Sequence, residues 1–368
     1  MTLRLVNEYT SQNLGDAVIY ETLAQLAGPL GAATTLTVNN RRHVRGVVSQ
    51  ADIPLRASDV HVSVGGDIFN NAKPLLPTRR FMQNLYVLAK PPADRTFLFG
   101  QSIPHSCRGL PLHLLARVLR RLSSVTVRDI DSFDRLRSLG VRASLSYDIA
   151  LGYTPAATCH AAGAALFSRA GIDPSRAVLM SVRAFDSMYP HDNHRFVAQM
   201  AALAQRLLDR GHLPVILMQS LAQGADNDHA VAAKLQQVVP GLGLMDPFDA
   251  EDLHHPIDSL VGALALSRAV VAVRFHTAVL RLLGGRIPYN LPYSAKGADL
   301  GQRLDLPGTP LQHLDIDLAV AGIESSIDRV YDIRPLRTDV SQQFAAALAH
   351  ALGVQPAAAL RGEEFAIR

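Results

Sequence analysis

The sequence predicts an α/β protein of two Rossmann-like domains that face each other across a cleft. Its 368 residues exceed the usual size of one domain. Short apolar runs alternate with helical patterns in both halves, which is typical of parallel strands joined by crossover helices. A segment rich in Ala, Gly and Pro, residues 154–174, separates the halves. We predict an N-terminal domain over residues 1–155, a C-terminal domain over residues 156–340, and a C-terminal helix and tail over residues 341–368.

Elements of the N-terminal half follow from apolar runs and from apolar residues at helical spacing. Several predicted helices end at Gly or Pro, residues that stop helices. The predicted strands are residues 3–6, 60–64, 97–99, 125–127 and 143–147, and the predicted helices are residues 16–26, 77–88, 110–122 and 131–139.

In the C-terminal half the same alternation resumes. A helix is predicted at residues 193–210, because Phe196, Met200, Leu203 and Leu207 recur on one face. The other predicted helices are residues 227–237, 251–266, 277–283 and 341–352, and the predicted strands are residues 178–182, 215–218 and 269–273.

Composition narrows the class of protein. An apolar content of 48% and a charged content of 18% describe a soluble globular chain. A net charge of +4 suits a small anionic ligand, and the absence of basic blocks argues against nucleic acid. With two cysteines, no signal-peptide pattern and no apolar window of membrane length, we expect a cytoplasmic protein with at most peripheral membrane contact.

The stretch Arg274-Phe275-His276 joins an apolar strand to a helix. It places two basic side chains at a helix N-terminus, where the peptide dipoles favour anions instead. A bound anion would reverse that penalty, since backbone N–H groups and both cations would face it. The alternative is that Arg274 extends to solvent while a neutral His276 packs against the helix.

Arg183 and Arg274 each follow a predicted strand of the C-terminal half. Carboxyl ends of parallel strands meet at one edge of a sheet, so both arginines are expected in the same cleft. With His276 and Lys296 they would form a focused anion site, and Arg is suited to bidentate contacts with carboxylate or phosphate.

Polar motifs also follow the strands of the N-terminal half. Each has a structural interpretation, namely helix capping by Asp16, a tight turn at the glycine pair, a polar loop, and an internal Arg–Asp ion pair. Each also has a ligand-binding interpretation, because open α/β sheets bind ligands at this edge. The candidate binding residues are Asn13, Gly15, Asp16, Gly65, Gly66, Asp67, Ser102, His105, Arg128 and Asp148.

Several common sites are absent from the sequence. It contains no Walker loop, no Gly-x-Gly-x-x-Gly fingerprint and no His-Glu-x-x-His motif. The pairs His191/His194 and His254-His255 lack further ligands at suitable spacing, so we predict no metal site.

Taken in order, these motifs resemble the polysaccharide pyruvyl transferase family. No single motif is decisive, but their order and spacing over residues 5–305 are specific. They are Asn13-Leu14-Gly15-Asp16, Val64-Gly65-Gly66, Gly100-Gln101-Ser102-Ile103-Pro104, Thr126-Val127-Arg128-Asp129-Ile130-Asp131-Ser132, Tyr147-Asp148-Ile149-Ala150, Ser181-Val182-Arg183, residues 267–276, Pro288-Tyr289-Asn290 and Lys296.

The resemblance implies a fold like that of B-type glycosyltransferases and a Rossmann-like donor domain in the C-terminal half. It implies transfer of pyruvate from phosphoenolpyruvate to two hydroxyls of a sugar or lipid-linked glycan as a ketal, in exopolysaccharide or cell-surface glycan biosynthesis, with no cofactor. The family places the acceptor in the N-terminal half. There this chain departs from the family pattern, because Asp67 replaces a third glycine and Asn70-Asn71 stand near the position of an acidic residue.

Ketal formation needs a proton donor for the enol methylene and cations for the donor's carboxylate and phosphate. Arg183, Arg274 and His276 are the predicted catalytic residues, with His276 either the general acid or a phosphate ligand. Asp16, Asp67, Asp148 and His105 are alternatives for the base. On this basis Arg274→Ala is expected to abolish donor binding and leave the fold intact.

Two other functions remain open at this level. A sugar-nucleotide glycosyltransferase would have the same architecture, although the six glutamates form no Glu-x7-Glu pattern. A non-catalytic glycan- or anion-binding relative would bind phosphoenolpyruvate without releasing phosphate. The sequence is compatible with a homo-oligomer.

Overall fold

The computed structural model describes residues 1–36, 43–71, 73, 76–185, 191–222, 227–250 and 254–354. The chain divides into two compact units. Unit 1 comprises Met1–Ser11, Asp16–Tyr153 and the residues from Arg334 onward, and unit 2 comprises Gln12–Gly15 and Thr154–Ile333.

Unit 1 is built on a parallel sheet of seven strands in the order β3-β2-β1-β4-β5-β6-β7. The order reverses between β1 and β4, which is the topological switch point where doubly wound sheets bind ligands. The strands are β1 (Thr2–Leu5), β2 (Ala33–Leu36), β3 (Val47–Ser49), β4 (Val60–Val64), β5 (Thr96–Gln101), β6 (Ser124–Val127) and β7 (Ala143–Leu145), and the helices are α1 (Leu14–Ala27), α2 (Arg79–Ala89), α3 (Leu110–Leu119), α4 (Ile130–Ser138) and α12 (Arg334–Leu352).

Unit 2 has a parallel sheet of five strands in the order β10-β9-β8-β11-β12, with its switch point between β8 and β11. The strands are β8 (Ala177–Met180), β9 (Leu213–Leu217), β10 (Gly243–Met245), β11 (Ala269–Ala272) and β12 (Tyr289–Asn290), and the helices are α5 (Cys159–Ala170), α6 (Asn193–Asp209), α7 (His229–Val238), α8 (Pro256–Leu266), α9 (Phe275–Leu283), α10 (Ala295–Arg303) and α11 (Ile316–Ser326). None of the described helices is long and apolar enough to cross a membrane.

Apolar packing explains the helix positions. The face of α6 predicted from the sequence is buried in the core of unit 2. In unit 1, Phe344 of α12 packs against Phe97 and Phe99 of β5, with ring centroids 5.9 and 5.5 Å apart. Aromatic contacts of this kind are strong, which accounts for the return of the C-terminal helix to unit 1.

Some elements differ from the sequence expectations. Helix α12 begins at Arg334, seven residues before the predicted start at Ser341. Helix α5 occupies the Ala-rich segment at which we placed the domain boundary, and the sequence analysis predicted no helix there. The strands β2, β3, β10 and β12 and the helices α10 and α11 were not predicted either, because short strands and mixed polar helices give weak periodicity.

Helices α5 and α8 approach closely through a pair of glycines. A Cβ built on Gly262 would lie 1.8 Å from the carbonyl oxygen of Cys159 and 2.8 Å from the amide nitrogen of Gly163. A Cβ on Gly163 would meet the backbone of Gly262 at 2.2 Å. Because backbone atoms cannot move aside, only glycine permits this contact.

We expect Gly262→Ala to destabilise unit 2 by about 2 kcal/mol, since overpacking must push two helices apart. Urea denaturation measures the change. Gly28→Ala is the matched control, because a Cβ there meets nothing within 4 Å, and it should change the stability by less than about 1 kcal/mol. Equal effects of the two substitutions would contradict the packing argument.

Candidate functional site

At the switch point of unit 2, the side chain of one serine connects the ends of two strands by hydrogen bonds. Ser181 directly follows β8, and its Oγ accepts hydrogen bonds from the backbone N–H groups of Val273 and Arg274, both at 3.0 Å. This fixes the carboxyl ends of two paired strands, β8 and β11, relative to each other. The start of α9 is thereby positioned at the edge where ligands bind.

Arg274 is the N-cap of α9 and is only 4% exposed. Its Nε lies 2.8 Å from the carbonyl oxygen of Val182 and 3.1 Å from Oδ1 of Asp228, and its Nη2 also donates to Asp228. The alternative in which Arg274 extends to solvent is therefore wrong. The positive charge at this helix N-terminus is balanced by a buried carboxylate.

Asp228 is fully buried, and Arg274 is not its only hydrogen-bond partner. Its Oδ2 accepts hydrogen bonds from the backbone N–H groups of Gln219 at 2.8 Å and Ser220 at 3.0 Å, in the loop that follows β9. The expectation that Arg274→Ala leaves the fold intact needs correction, because removal of the guanidinium would leave this carboxylate buried without its cation.

His276 lies in the first turn of α9 and is 9% exposed. Gly15 lies against it, because a Cβ on Gly15 would be 2.4 Å from His276 Nδ1. Asn13 Oδ1 accepts the N–H of Gly15 at 3.0 Å, as an N-cap does. The cap of α1 is therefore Asn13, and Asp16, predicted as the cap, lies in the first turn. Two predicted acceptor-side residues, Asn13 and Gly15, thus belong to unit 2.

Arg183 follows β8 and packs against aromatic rings. Its guanidinium carbon is 4.8 Å from the ring centroid of Tyr293 and 5.6 Å from that of Phe185, and Nη1 donates to the Tyr293 hydroxyl. Lys296 lies in the first turn of α10, with Nζ 5.7 Å from the ring centroid of Phe275. The sequence reasoning missed Tyr293 and Asp228, since neither lies in a motif that marks a ligand.

Unit 1 gathers three predicted residues around the guanidinium of a fourth, Arg128. Arg128 is buried, and its Nε donates to Ser102 Oγ at 2.7 Å. It forms ion pairs with Asp148 and, at 3.5 Å, with Asp67. Burial alone would lower the pKa of Arg128, but the carboxylates of Asp148, Asp67 and Asp129 outweigh it and raise the pKa. This cluster carries more negative than positive charge and does not resemble an anion site.

The glycine pair after β4 has the backbone conformation that its sequence indicates. Gly65 and Gly66 have φ values of +62° and +65°, and a Cβ on Gly66 would overlap the ring of Tyr9 at 2.1 Å. By contrast, the side chain of His105 is 70% exposed and lies 3.8 Å from Asp131. His105 is therefore not part of the Arg128 cluster.

Metal binding finds no support in the described residues, where no group of three His, Cys, Asp or Glu side chains is arranged to hold an ion. His191 instead contacts the Tyr293 carbonyl oxygen through Nε2 at 3.0 Å.

Solved structures with a similar fold include two from bacteria. A protein from Listeria monocytogenes assigned as a UDP-N-acetylglucosamine 2-epimerase aligns over 95% of this chain and 96% of that chain, with a TM-score of 0.56 and 13% identity. The UDP-N-acetylglucosamine 2-epimerase from Rickettsia bellii aligns over 96% and 97%, with a TM-score of 0.50 and 7% identity. At these identities the likeness shows the fold alone, and it confirms the predicted two-domain α/β class. No curated protein sequence matches the chain significantly.

A comparison of the sequence with protein-family models identifies the family of this chain. A family model described as polysaccharide pyruvyl transferase matches residues 13–280, well over half of the chain. The chain therefore belongs to the polysaccharide pyruvyl transferase family, and the resemblance read from its motifs is confirmed. The match includes Arg183, Arg274 and His276, whereas Lys296 lies beyond it.

Loss of the Asp228 carboxylate should strongly destabilise unit 2. We expect Asp228→Ala to cost about 3–5 kcal/mol, because it leaves the buried Arg274 charge uncompensated. Asp317→Ala is the control, since that carboxylate is 75% exposed in its pair with Arg206 and should contribute at most about 1 kcal/mol. Comparable unfolding free energies of the two variants in urea would refute the role of Asp228.

Proposed function

We propose that this protein transfers pyruvate from phosphoenolpyruvate to two hydroxyls of a sugar or glycan, forming a ketal. The observation that carries the proposal is the placement of Arg183 and the Arg274–His276 turn after paired central strands of unit 2. Both lie inside the range matched by the family. The proposed reaction needs no cofactor besides the donor substrate.

The donor's charge suits unit 2. Phosphoenolpyruvate carries a carboxylate and a phosphate on one small frame, so its binding needs several donors at short range. Arg183 and His276 supply side-chain groups, and the N-termini of α9 and α10 supply backbone N–H groups, with Lys296 at the latter. In this proposal Arg274 binds the donor while Asp228 sets its position.

The chemistry requires four linked changes. A proton is added to the donor methylene carbon, and one acceptor hydroxyl attacks the adjacent carbon and loses its proton. The bond to phosphate oxygen then breaks, and the phosphate leaves with a proton. The second hydroxyl closes the ketal on the same carbon and loses its own proton, so atoms and charges balance. His276 is proposed either to give the first proton or to bind the phosphate.

Unit 1 is the proposed acceptor side. The Arg128 cluster contains the carboxylates of Asp67 and Asp148, and carboxylates accept hydrogen bonds from sugar hydroxyls. Asp16, Asp67 and Asp148 remain the proposed alternatives for the base, and the position of His105 at the surface favours it less.

Arg183→Ala should weaken phosphoenolpyruvate binding by at least about tenfold, the cost of one charge-assisted contact. Calorimetric titration of the donor measures this. Arg195→Ala, an exposed arginine of the same unit, is the control and should leave the affinity unchanged. Donor affinity in Arg183→Ala equal to that of the wild type would remove Arg183 from the donor site.

The two roles of His276 are separable with His276→Gln. A general acid predicts a fall in kcat of about 10²–10⁴ with donor affinity nearly kept, and loss of the limb of the pH–rate profile that the acid produces. A phosphate ligand predicts a fall in donor affinity with that limb retained. Wild-type kinetics in this variant would contradict both roles.

The function itself is tested by incubating the purified chain with phosphoenolpyruvate and a panel of β-galactosides, glucosides and mannosides. We expect phosphate release together with the mass gain of a ketal. Tight binding of a sugar nucleotide, with no turnover of phosphoenolpyruvate on any acceptor, would instead support the glycosyltransferase alternative. Binding of phosphoenolpyruvate without phosphate release would indicate a non-catalytic relative.

A further inference from the structure

The switch point of the unit 1 sheet contains an aromatic residue that none of the motifs includes. Tyr9 lies just beyond the end of β1, and β1 is paired with β4 where the strand order reverses. Ligands of doubly wound sheets bind in the crevice at this point. Tyr9 is half-buried there.

Two contacts set the position of Tyr9. Its ring lies against Gly66, close enough that a Cβ on Gly66 would be 2.1 Å from Cε2. Its backbone is held by the hydroxyl of Tyr20, which accepts the N–H of Tyr9 at 2.5 Å and donates to its carbonyl oxygen at 3.1 Å. The absence of a Cβ at Gly66 thus provides the space that the ring occupies.

Burial and nearby charges determine the pKa of the Tyr9 phenol. Burial is the main reason that the pKa of Tyr9 is raised well above 10.0, and the charges of Asp67 and Asp16 raise it further, although Arg80 and Arg128 oppose them. The phenol therefore stays neutral at physiological pH. The two carboxylates are able to accept hydrogen bonds from the hydroxyls of an uncharged polyhydroxy ligand.

Asn7, two residues before Tyr9, supports a polar ligand or bound water at this edge. It has φ +62° and is 9% exposed. Among the described residues, none hydrogen-bonds to its side-chain Nδ2 or Oδ1. An unsatisfied buried amide costs about 1–3 kcal/mol, so a partner from outside the described chain would stabilise it.

From this geometry we propose that Tyr9 is the platform on which the acceptor pyranose packs. The C–H face of the sugar contacts the ring, and its hydroxyls donate to the carboxylates of Asp67 and Asp16. The inference rests on the proposed function, since it gives the acceptor side of that reaction its main apolar contact. It makes Tyr9 a binding residue for the sugar and assigns it no proton transfer.

Tyr9→Ala tests the platform by separating acceptor from donor. We expect the KM for the acceptor glycoside to rise about tenfold while the phosphoenolpyruvate affinity changes less than twofold. Tyr9→Phe keeps the ring and should restore the wild-type acceptor KM. Tyr86→Ala removes a tyrosine that is 64% exposed in the same unit, and it should change neither parameter. Tyr9→Leu retains bulk beside Gly66 without an aromatic face, and it replaces Tyr9→Ala if that variant does not fold.

A pair of glycine substitutions gives an independent test. Gly66→Ala and Gly140→Ala both place alanine at positive φ, +65° and +71°, but a Cβ on Gly140 meets nothing within 4 Å. Backbone strain is therefore similar, and only Gly66→Ala displaces the Tyr9 ring. We expect Gly66→Ala to raise the acceptor KM as Tyr9→Ala does, and Gly140→Ala to leave it unchanged.

The outcome also separates this inference from the function on which it rests. An unchanged acceptor KM in Tyr9→Ala, or an equal loss of donor affinity, would overturn the platform even if the enzyme makes ketals. If the wild type releases no phosphate with any glycoside, saturation-transfer NMR with methyl pyranosides still tests whether a sugar binds at Tyr9. Transfer that disappears in Tyr9→Ala supports the platform. Equal transfer in both proteins, or none in the wild type, overturns it.

Discussion

The buried ion pair between Arg274 and Asp228 is the interaction on which the rest of unit 2 depends. A cation at a helix N-terminus is unfavourable by itself, and burial adds a desolvation cost of several kcal/mol. Asp228 offsets both, and it also binds two backbone N–H groups after β9. One carboxylate therefore ties the ends of β9 and β11 together and determines where α9 begins. His276 and the first turn of that helix take their positions from this anchor.

The two units differ in the charge that they present at the carboxyl edges of their sheets. In unit 2 the residues after β8 and β11 are basic, and aromatic rings or a carboxylate hold them in position. In unit 1 one arginine is shared by Asp148 and Asp67, and Tyr9 lies beside Gly66. Under the proposed function, the basic edge of unit 2 suits the anionic donor and the edge of unit 1 suits the neutral sugar. One fold thus presents two different chemical environments through the residues that follow its strands.

Much of the fold was predictable because its central strands are continuous apolar runs and its longer helices have a clear apolar face. The helix at residues 193–210 and the strand at 269–273 were predicted within a residue of their observed ends. Helix α5 was missed because half of its residues are Ala or Gly, which mark no apolar face, and it packs against α8 through the close approach of Gly163 to Gly262. No local pattern reports that contact, since it depends on a helix far away in the chain.

The sequence by itself determined the parallel α/β class, the family, and the location of Arg183, Arg274 and His276 at strand ends, because strand periodicity and motif order are local properties. Only the tertiary structure decided what these residues touch. Arg274 meets a carboxylate 46 residues away, and His276 lies against a glycine near the start of the chain. The tertiary structure also places the ring of Tyr9 against Gly66. Such partners depend on which strands become neighbours in the sheet, and burial, not local sequence, selects that order.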